Sequence, residues 1–543
     1  MSIPGSTPRP ASSTTPHTVG ALVRYAALQH GDKIVLSQKD GLPQAIEISY
    51  RELDALRMVA AKAFYAAGIR KGDRVAVWAP NIPQWIVAAI GAQTMGAILV
   101  PLNTRMKGSE AADIINRSGA RLLFTVAEFA AGPGSIIRYP ELIATESMPA
   151  LEAVVLLSGS PTDGAAGMTP WSTFLALGNA TADADIETLA ALVTPDDAMD
   201  MLFTSGTTGK PKGVVCGHGQ NIMVFETWAD TVGLRSDDNY LIINPFFHSF
   251  GYKAGWLAAI IKGCKILPVI SFDLDRVLKQ IATDRVTMIP GPPTIYQMLL
   301  AHPDRDKYDL SSLRLAVTGA AAVPVELVRK MRSELHFQTV VTAYGLTESS
   351  GVVTICRPDD DPETIATTSG CAIPGVEVRC VDCSGSEVAR GDAGEIWVRG
   401  YNVMKEYFDN PQATREAITS DGWLKTGDIG VMDERGYIRI TDRLKDMYIS
   451  GGFNVYPAEI ENALASIAGV AQSAVIGVAD ERMGEVGKAF IVKKAGCDLT
   501  SQQVIDYCRT NLANYKVPRT VEFLDAMPLN ASGKILKTAL RGR

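Results

Sequence analysis

Thr204-Ser-Gly-Thr-Thr-Gly-Lys-Pro-Lys-Gly213 stands directly after the apolar Met201-Leu202-Phe203 and before Val214-Val215. Four hydroxyls, three glycines and two lysines in ten residues describe a loop with free backbone N–H groups, small side chains and positive charge. Such a loop is suited to wrap a polyphosphate. A solvated surface turn has no reason to sit between two apolar segments. The familiar P-loop is excluded as well, because it needs Ser or Thr after its lysine and here Pro211 follows Lys210.

Further stretches extend the pattern. They are Tyr344-Gly-Leu-Thr-Glu-Ser349, Lys425-Thr-Gly-Asp428, Asp442-Arg-Leu-Lys-Asp446 with Ser450-Gly-Gly-Phe-Asn-Val-Tyr-Pro-Ala-Glu459, and Pro528-Leu-Asn-Ala-Ser-Gly-Lys534. Taken in this order with the first loop, they resemble the motifs of the adenylate-forming superfamily of acyl-CoA synthetases, luciferases and peptide-synthetase adenylation domains. The resemblance runs over nearly the whole chain. It implies ATP, Mg²⁺ and CoA as cofactor and co-substrates, and a small-molecule carboxylic acid as the group activated.

Composition agrees with a globular enzyme. The chain has 543 residues, 47% hydrophobic and 20% charged, enough for several cores. A net charge of −7 gives no footprint for nucleic acid. Ser2 to Thr18 is rich in Pro, Ser and Thr with no apolar core of a signal peptide, so it reads as a disordered tail and the expected location is the cytoplasm. The run Trp85 to Val100 is shorter than the roughly 20 residues of a membrane span and reads as a buried helix feeding a strand, so no transmembrane segment is expected. Eight scattered cysteines, including a lone Cys380-Val-Asp-Cys383, fit free thiols better than a zinc site. A homo-oligomer is compatible with these features.

Short apolar strands alternate with helical stretches from about residue 50. Arg74–Ala79 and Leu122–Val126 read as strands, and Ser109–Arg117 as a helix stopped by Gly119. The pattern recurs through Arg285–Ile289, Leu313–Thr318, Pro324–Leu335 and Val340–Ala343. The expected fold class is therefore α/β, with two doubly wound β/α layers in a large N-terminal domain. From Gly375 period-two segments predict a small antiparallel sheet or barrel. After Arg443 the order strand, helix (Pro457–Ile467), strand (Ala474–Val478), strand (Ala489–Val492), helix (Ser501–Leu512), strand (Val521–Leu524) predicts a small α+β C-terminal domain. The expected boundaries are a tail over 1–18, an AMP-binding domain over 19–442, a hinge over 443–446 and a C-terminal domain over 447–543.

The chemistry implied by the resemblance is attack of a carboxylate on the α-phosphorus of ATP, then attack of a thiol on the acyl-adenylate. Both steps bring anions together, so the protein must supply positive charge and positioning. Lys534 is assigned the decisive charge, Thr347 a hydrogen bond to phosphate and Glu348 the Mg²⁺. Nucleotide contacts are assigned to Thr204, Ser205, Gly206, Thr207, Thr208, Gly209, Lys210 and Lys212, with Gly319, Ala320 and Ala321 under the adenine and Tyr344 and Gly345 beside it. Asp428 and Arg443 match the ribose ligands. Lys445 matches the hinge, where the family's small domain turns between half-reactions, and Gly451 and Gly452 match the glycines that let the pantetheine arm pass.

Within Asn244-Pro-Phe-Phe-His-Ser-Phe-Gly-Tyr-Lys-Ala-Gly255, His248 matches the family's gate, and Tyr252 and Lys253 are expected in the acyl pocket. A lysine beside an alkyl pocket needs a partner. Either Lys253 or Tyr252 donates to an oxygen of the acid, or Lys253 pairs with a nearby carboxylate. The segments around His248, Pro290, Val317, Thr342, Cys356 and Asp446 look most like bacterial fatty-acyl-CoA-synthetase-like ligases of steroid ring C/D catabolism, which activate a hexahydroindanedione propanoate. A medium-chain fatty acid or aryl-propanoate is the runner-up. A carrier-loading adenylating enzyme is a rival within the superfamily, although the chain stops shortly after Lys534 without a carrier domain. A non-catalytic nucleotide or acyl-adenylate sensor is the rival of another class.

Overall fold

The computed structural model describes residues 14–39, 45–132, 135–144, 146–159, 167–204, 211–319, 323–443, 446–450, 453–455, 457–480, 483–512, 514–529 and 535–541. The chain forms two compact units, Met1–Val378 with Val398–Leu424, and Arg379–Trp397 with Lys425–Arg543. Segments around Asp428 that the sequence reading placed in the 19–442 domain thus pack with the second unit.

The first unit is built on two sheets. One has nine strands, in the order Cys371–Ala372, Thr354–Ile355, Thr339–Tyr344, Leu315–Thr318, Met288–Pro290, Asn239–Ile242, Lys265–Pro268, Ile34–Gln38 and Ile46–Ser49. The other has eight, in the order Glu406–Tyr407, Lys212–Gly217, Ala198–Thr204, Ile98–Pro101, Arg74–Trp78, Leu122–Val126, Ala153–Ser158 and Thr169–Pro170. Their central pairs are parallel; antiparallel strands close both edges of the first sheet and the Glu406–Tyr407 edge of the second, whose Thr169–Pro170 edge is parallel. Strands covered on both faces read as unbroken apolar runs, and Leu122–Val126 is buried at every position.

Helices between the strands follow local signals. Tyr50–Ala66 starts from a capping box in which Ser49 and Glu52 exchange hydrogen bonds. Gly108–Ser118 ends at Gly119 in the left-handed region, as the sequence predicts. Pro83–Thr94 is buried all round, and Gly91 lets it approach Tyr50–Ala66 so closely that a Cβ there would lie 2.5 Å from the Ala60 Cβ. Two expectations shift. Residues 14–18 are placed, with Thr15 donating to Glu226 at 2.6 Å, while 1–13 lie outside the described residues. The strand expected from Arg285 begins at Met288, because Arg285 is the left-handed cap of helix Leu274–Asp284.

The expected small barrel is an open half-barrel of four strands, Val376–Val381, Ala393–Gly400, Leu424–Met432 and Ile438–Arg443. In the second unit the strands Phe453–Val455, Tyr448–Ser450, Gly484–Lys493, Val470–Asp480 and Thr520–Phe523 form a sheet beside helices Pro457–Ala465 and Ser501–Asn511. Ile460, Leu464, Val504 and Cys508 from those helices close on Val475 and Ile491 of the sheet, a separate α+β core. No helix among the described residues is long and apolar enough to cross a membrane.

Candidate active site

The stretch expected to bind phosphate joins the two strands of a hairpin. Strands Ala198–Thr204 and Lys212–Gly217 pair antiparallel with Thr204 opposite Lys212, so the loop leaves and re-enters the sheet at adjacent positions. Residues 205–210, which include the expected ligands Ser205, Gly206, Thr207, Thr208, Gly209 and Lys210, lie outside the described residues. Lys212 sits 4.7 Å above the Tyr407 ring, which fixes the cation at the base of the loop.

Tyr407 carries a second contact. Its hydroxyl donates to Glu348 Oε1 at 2.9 Å. Burial first, and the Glu348 charge second, push its pKa far up, so the phenol keeps its proton and remains a donor. Glu348 lies in the short helix Thr347–Ser349, directly after strand Thr339–Tyr344 and the Gly345-Leu346 link. Gly345 is forced by close packing, since a Cβ there would stand 2.2 Å from the Gly351 carbonyl oxygen. Thr347 and Glu348 are half-buried and Tyr344 is buried. A single carboxylate held by a tyrosine hydroxyl fits Mg²⁺, which takes one or two carboxylates from a protein and completes its shell with phosphate and water.

Gly319 follows the end of strand Leu315–Thr318, where Thr318 Oγ1 is buried with no hydrogen-bond partner among the described residues. Ala320 and Ala321 lie outside them. His248 is exposed and not a core histidine; its Nδ1 accepts from Phe250 N at 3.2 Å and caps the turn Ser249–Gly251. In the second unit Asp428 is buried, and its strand pairs Asp428 with Arg443 in register. Lys445, Gly451, Gly452 and Lys534 lie outside the described residues.

Of the two partners the sequence leaves open for Lys253, the structure shows the carboxylate. Tyr252 and Lys253 are both fully buried, in the π-helical segment Tyr252–Leu257. Lys253 Nζ lies 3.0 Å from Asp200 Oδ1, an ion-pair contact without the alignment of a good hydrogen bond. Tyr252 OH accepts from Gln93 Nε2 at 2.6 Å. The physical reason is the one that demanded a partner at all: a buried ammonium is costly unless paired. Burial penalises that ammonium, yet the Asp200 carboxylate beside it and Cys216 raise its pKa above the usual lysine value.

Sequence reasoning missed Tyr407 and Asp200. It also missed a cavity of about 200 Å³ at the carboxyl ends of strands Arg74–Trp78, Leu122–Val126 and Lys265–Pro268, bordered by Pro80, Val126, Pro268 and Arg276.

The comparisons with known proteins agree with this geometry. Residues 23–408 match the AMP-binding enzyme model and residues 459–534 the AMP-binding enzyme C-terminal domain. The chain belongs to the AMP-binding enzyme family. It is 49% identical over 531 residues to a 7a-methyl-1,5-dioxo-octahydroindenyl-propanoyl:CoA ligase of Rhodococcus jostii, covering 97% of this chain and 98% of that one. A ligase of the same description from Mycobacterium tuberculosis is 50% identical over 487 residues, covering 89% and 91%. Among solved structures, o-succinylbenzoate CoA synthetase of Bacillus subtilis in complex with its acyl-adenylate intermediate superposes with a TM-score of 0.78 at 27% identity, covering 96% and 97%. Both architecture and sequence therefore place the chain among adenylate-forming ligases.

Proposed function

We propose that this protein is an ATP-dependent carboxylate–CoA ligase whose acid is a bicyclic keto propanoate left from steroid rings C and D. The observation that carries the reaction class is the phosphate-loop hairpin set against a carboxylate, Glu348, held by Tyr407. The substrate rests on the near full-length identity to the two propanoyl:CoA ligases.

In the first half-reaction a carboxylate oxygen attacks the α-phosphorus, the bond to the bridging oxygen breaks, and pyrophosphate leaves. Residues 204–212 cradle the phosphates, and Thr347 donates to a phosphate oxygen. Glu348 would hold Mg²⁺, which when bound would neutralise phosphate charge. Tyr344, Gly345 and Gly319 to Ala321 receive the adenine, Asp428 and Arg443 the ribose, and Lys534 the charge at the reacting oxygens. In the second half-reaction the CoA thiol, having lost its proton to solvent, attacks the acyl carbon and AMP leaves. Gly451 and Gly452 admit the pantetheine, His248 gates its approach, and Lys445 is the hinge between a domain over 19–442 and one over 447–543. A cytoplasmic location suits a reaction that consumes ATP and CoA.

A CoA-ligation screen tests the reading. The bicyclic keto acid should exceed octanoate and an aryl-propanoate in kcat/KM by on the order of 10². Preference for octanoate would reassign the substrate, and release of AMP only with a carrier protein in place of CoA would reassign the enzyme.

A further inference from the structure

The hairpin that carries the phosphate loop has a charged floor. Asp200, in the middle of one strand, is the register partner of Cys216 in the other, and both are fully buried. Lys253 reaches Asp200 Oδ1 from the π-helical segment that follows His248, while Asn221 donates to Asp200 Oδ2 at 3.0 Å. From Cys216 the contacts continue outward. Ser350 Oγ lies 3.6 Å from Cys216 Sγ and donates to Asn402 O at 3.0 Å. Ser350 is the left-handed cap, φ 56°, of the short helix that contains Thr347 and Glu348. The segment after Asn402 then returns to the same elements, with Met404 N donating to Glu348 O at 2.8 Å and Lys405 N to Val215 O at 2.9 Å.

A buried ion pair is weak support for stability, because well-packed apolar residues of similar volume do as well or better. What the pair has that an apolar pair lacks is direction. Here the direction is fixed further by an aromatic wall, with Tyr252 stacked on Trp256 at 4.9 Å and Trp85 edge-on to Tyr252 at 5.8 Å. π-Helical turns recur at functional sites, and this one turns a lysine away from solvent into the hairpin floor.

We infer that Lys253 is a positioning residue for adenylation: through Asp200, Cys216 and Ser350 it locks the phosphate-loop hairpin and the Glu348 turn into one rigid unit. This rests on the ligase reading above. Lys253 touches no reacting atom; it sets where the loop and the metal carboxylate stand relative to each other. Thiolation needs neither pyrophosphate contacts nor the metal, so the two half-reactions should respond differently.

The test uses the full chain with Lys253→Met and Asp200→Asn combined, which leaves no unpaired buried charge, and Cys216→Ala, which introduces none. Three quantities are read: thermal unfolding, ATP–pyrophosphate exchange with the bicyclic keto acid against Mg²⁺ concentration, and CoA ester formation from preformed acyl-adenylate. The double variant should unfold near the wild-type temperature, exchange about 10-fold or more slowly, need several-fold more Mg²⁺ for half-maximal exchange, and form ester within about twofold of wild type. Cys216→Ala should show the same split with a smaller fall. Wild-type exchange and Mg²⁺ dependence in a folded double variant, or in Cys216→Ala should the double variant not fold, would overturn the inference. An equal fall in both half-reactions would overturn it too, by showing general loss of packing. Absence of exchange by the wild-type protein with every acid would instead sink the ligase reading, and this inference with it.

Discussion

Glu348 shows how much a single side chain depends on what holds it. A carboxylate that ligates a cation through one contact needs a fixed orientation, and the Tyr407 hydroxyl supplies it. We expect Tyr407→Phe to slow ATP–pyrophosphate exchange by about 10-fold and to raise the Mg²⁺ requirement, with esterification of preformed acyl-adenylate little changed. Its cost in stability should be about 1 kcal/mol, the net worth of one hydrogen bond, readable by urea unfolding. Unaltered Mg²⁺ dependence would show that Glu348 is held by something else. The place of Glu348, in a short helix just after a strand, was legible from its motif. Tyr407 was not, because its strand is two residues long and pairs with Val214 and Val215, far earlier in the chain. Lys253 was half legible: an apolar stretch with one lysine demands a partner, but only tertiary structure names Asp200.

At the scale of elements, periodicity and punctuation carried the reading. The strands at Leu122–Val126 and Thr339–Tyr344, and the helices at Gly108–Ser118 and Ser501–Asn511, lie where apolar period and caps predict. The miss at Arg285 has a physical cause. A helix that ends in the left-handed region usually does so on Gly or Asn, and here an arginine with φ 52° takes that position at a cost of about 1 kcal/mol, leaving no sequence mark. A second element-scale feature is the hydrogen bond that joins the first residues of helices Val19–His30 and His218–Val232. Val19 N donates to His218 Nδ1 at 3.3 Å, and burial lowers the His218 pKa to about 4. An unfolded histidine titrates near 6.5, so between these values the unfolded chain binds the extra proton and stability falls as pH falls. From pH 7 to pH 5 this one group should remove about 2 kcal/mol of unfolding free energy. Urea unfolding at the two pH values checks it, and His218→Asn should flatten the difference; an equal slope in the variant would assign the acid sensitivity elsewhere.

At the scale of the whole molecule, the two compact units divide differently from the linear reading. The chain order of motifs predicts one hinge at Lys445, whereas packing draws Arg379–Trp397 and the strands Leu424–Met432 and Ile438–Arg443 from Lys425 onward together with the C-terminal residues. Sequence order cannot show this, because a half-barrel whose strands come from separated segments has no single boundary in the chain. The functional hinge is a different question from the packing boundary, and a pair of variants separates them. Proline at 445 fixes φ and removes a backbone donor, so a backbone change required there between half-reactions would be blocked. Lys445→Pro should therefore retain ATP–pyrophosphate exchange and lose CoA ester formation. Lys534→Ala should do the reverse, losing about 10²–10³ in exchange rate with esterification of preformed acyl-adenylate largely kept, because a charge contact made only in the first transition state is removed. Opposite losses in the two variants require that one C-terminal segment serve the two half-reactions in turn. Ester formation by Lys445→Pro at the wild-type rate would place the moving joint elsewhere, with the Leu424–Lys425 packing boundary as the next position to substitute.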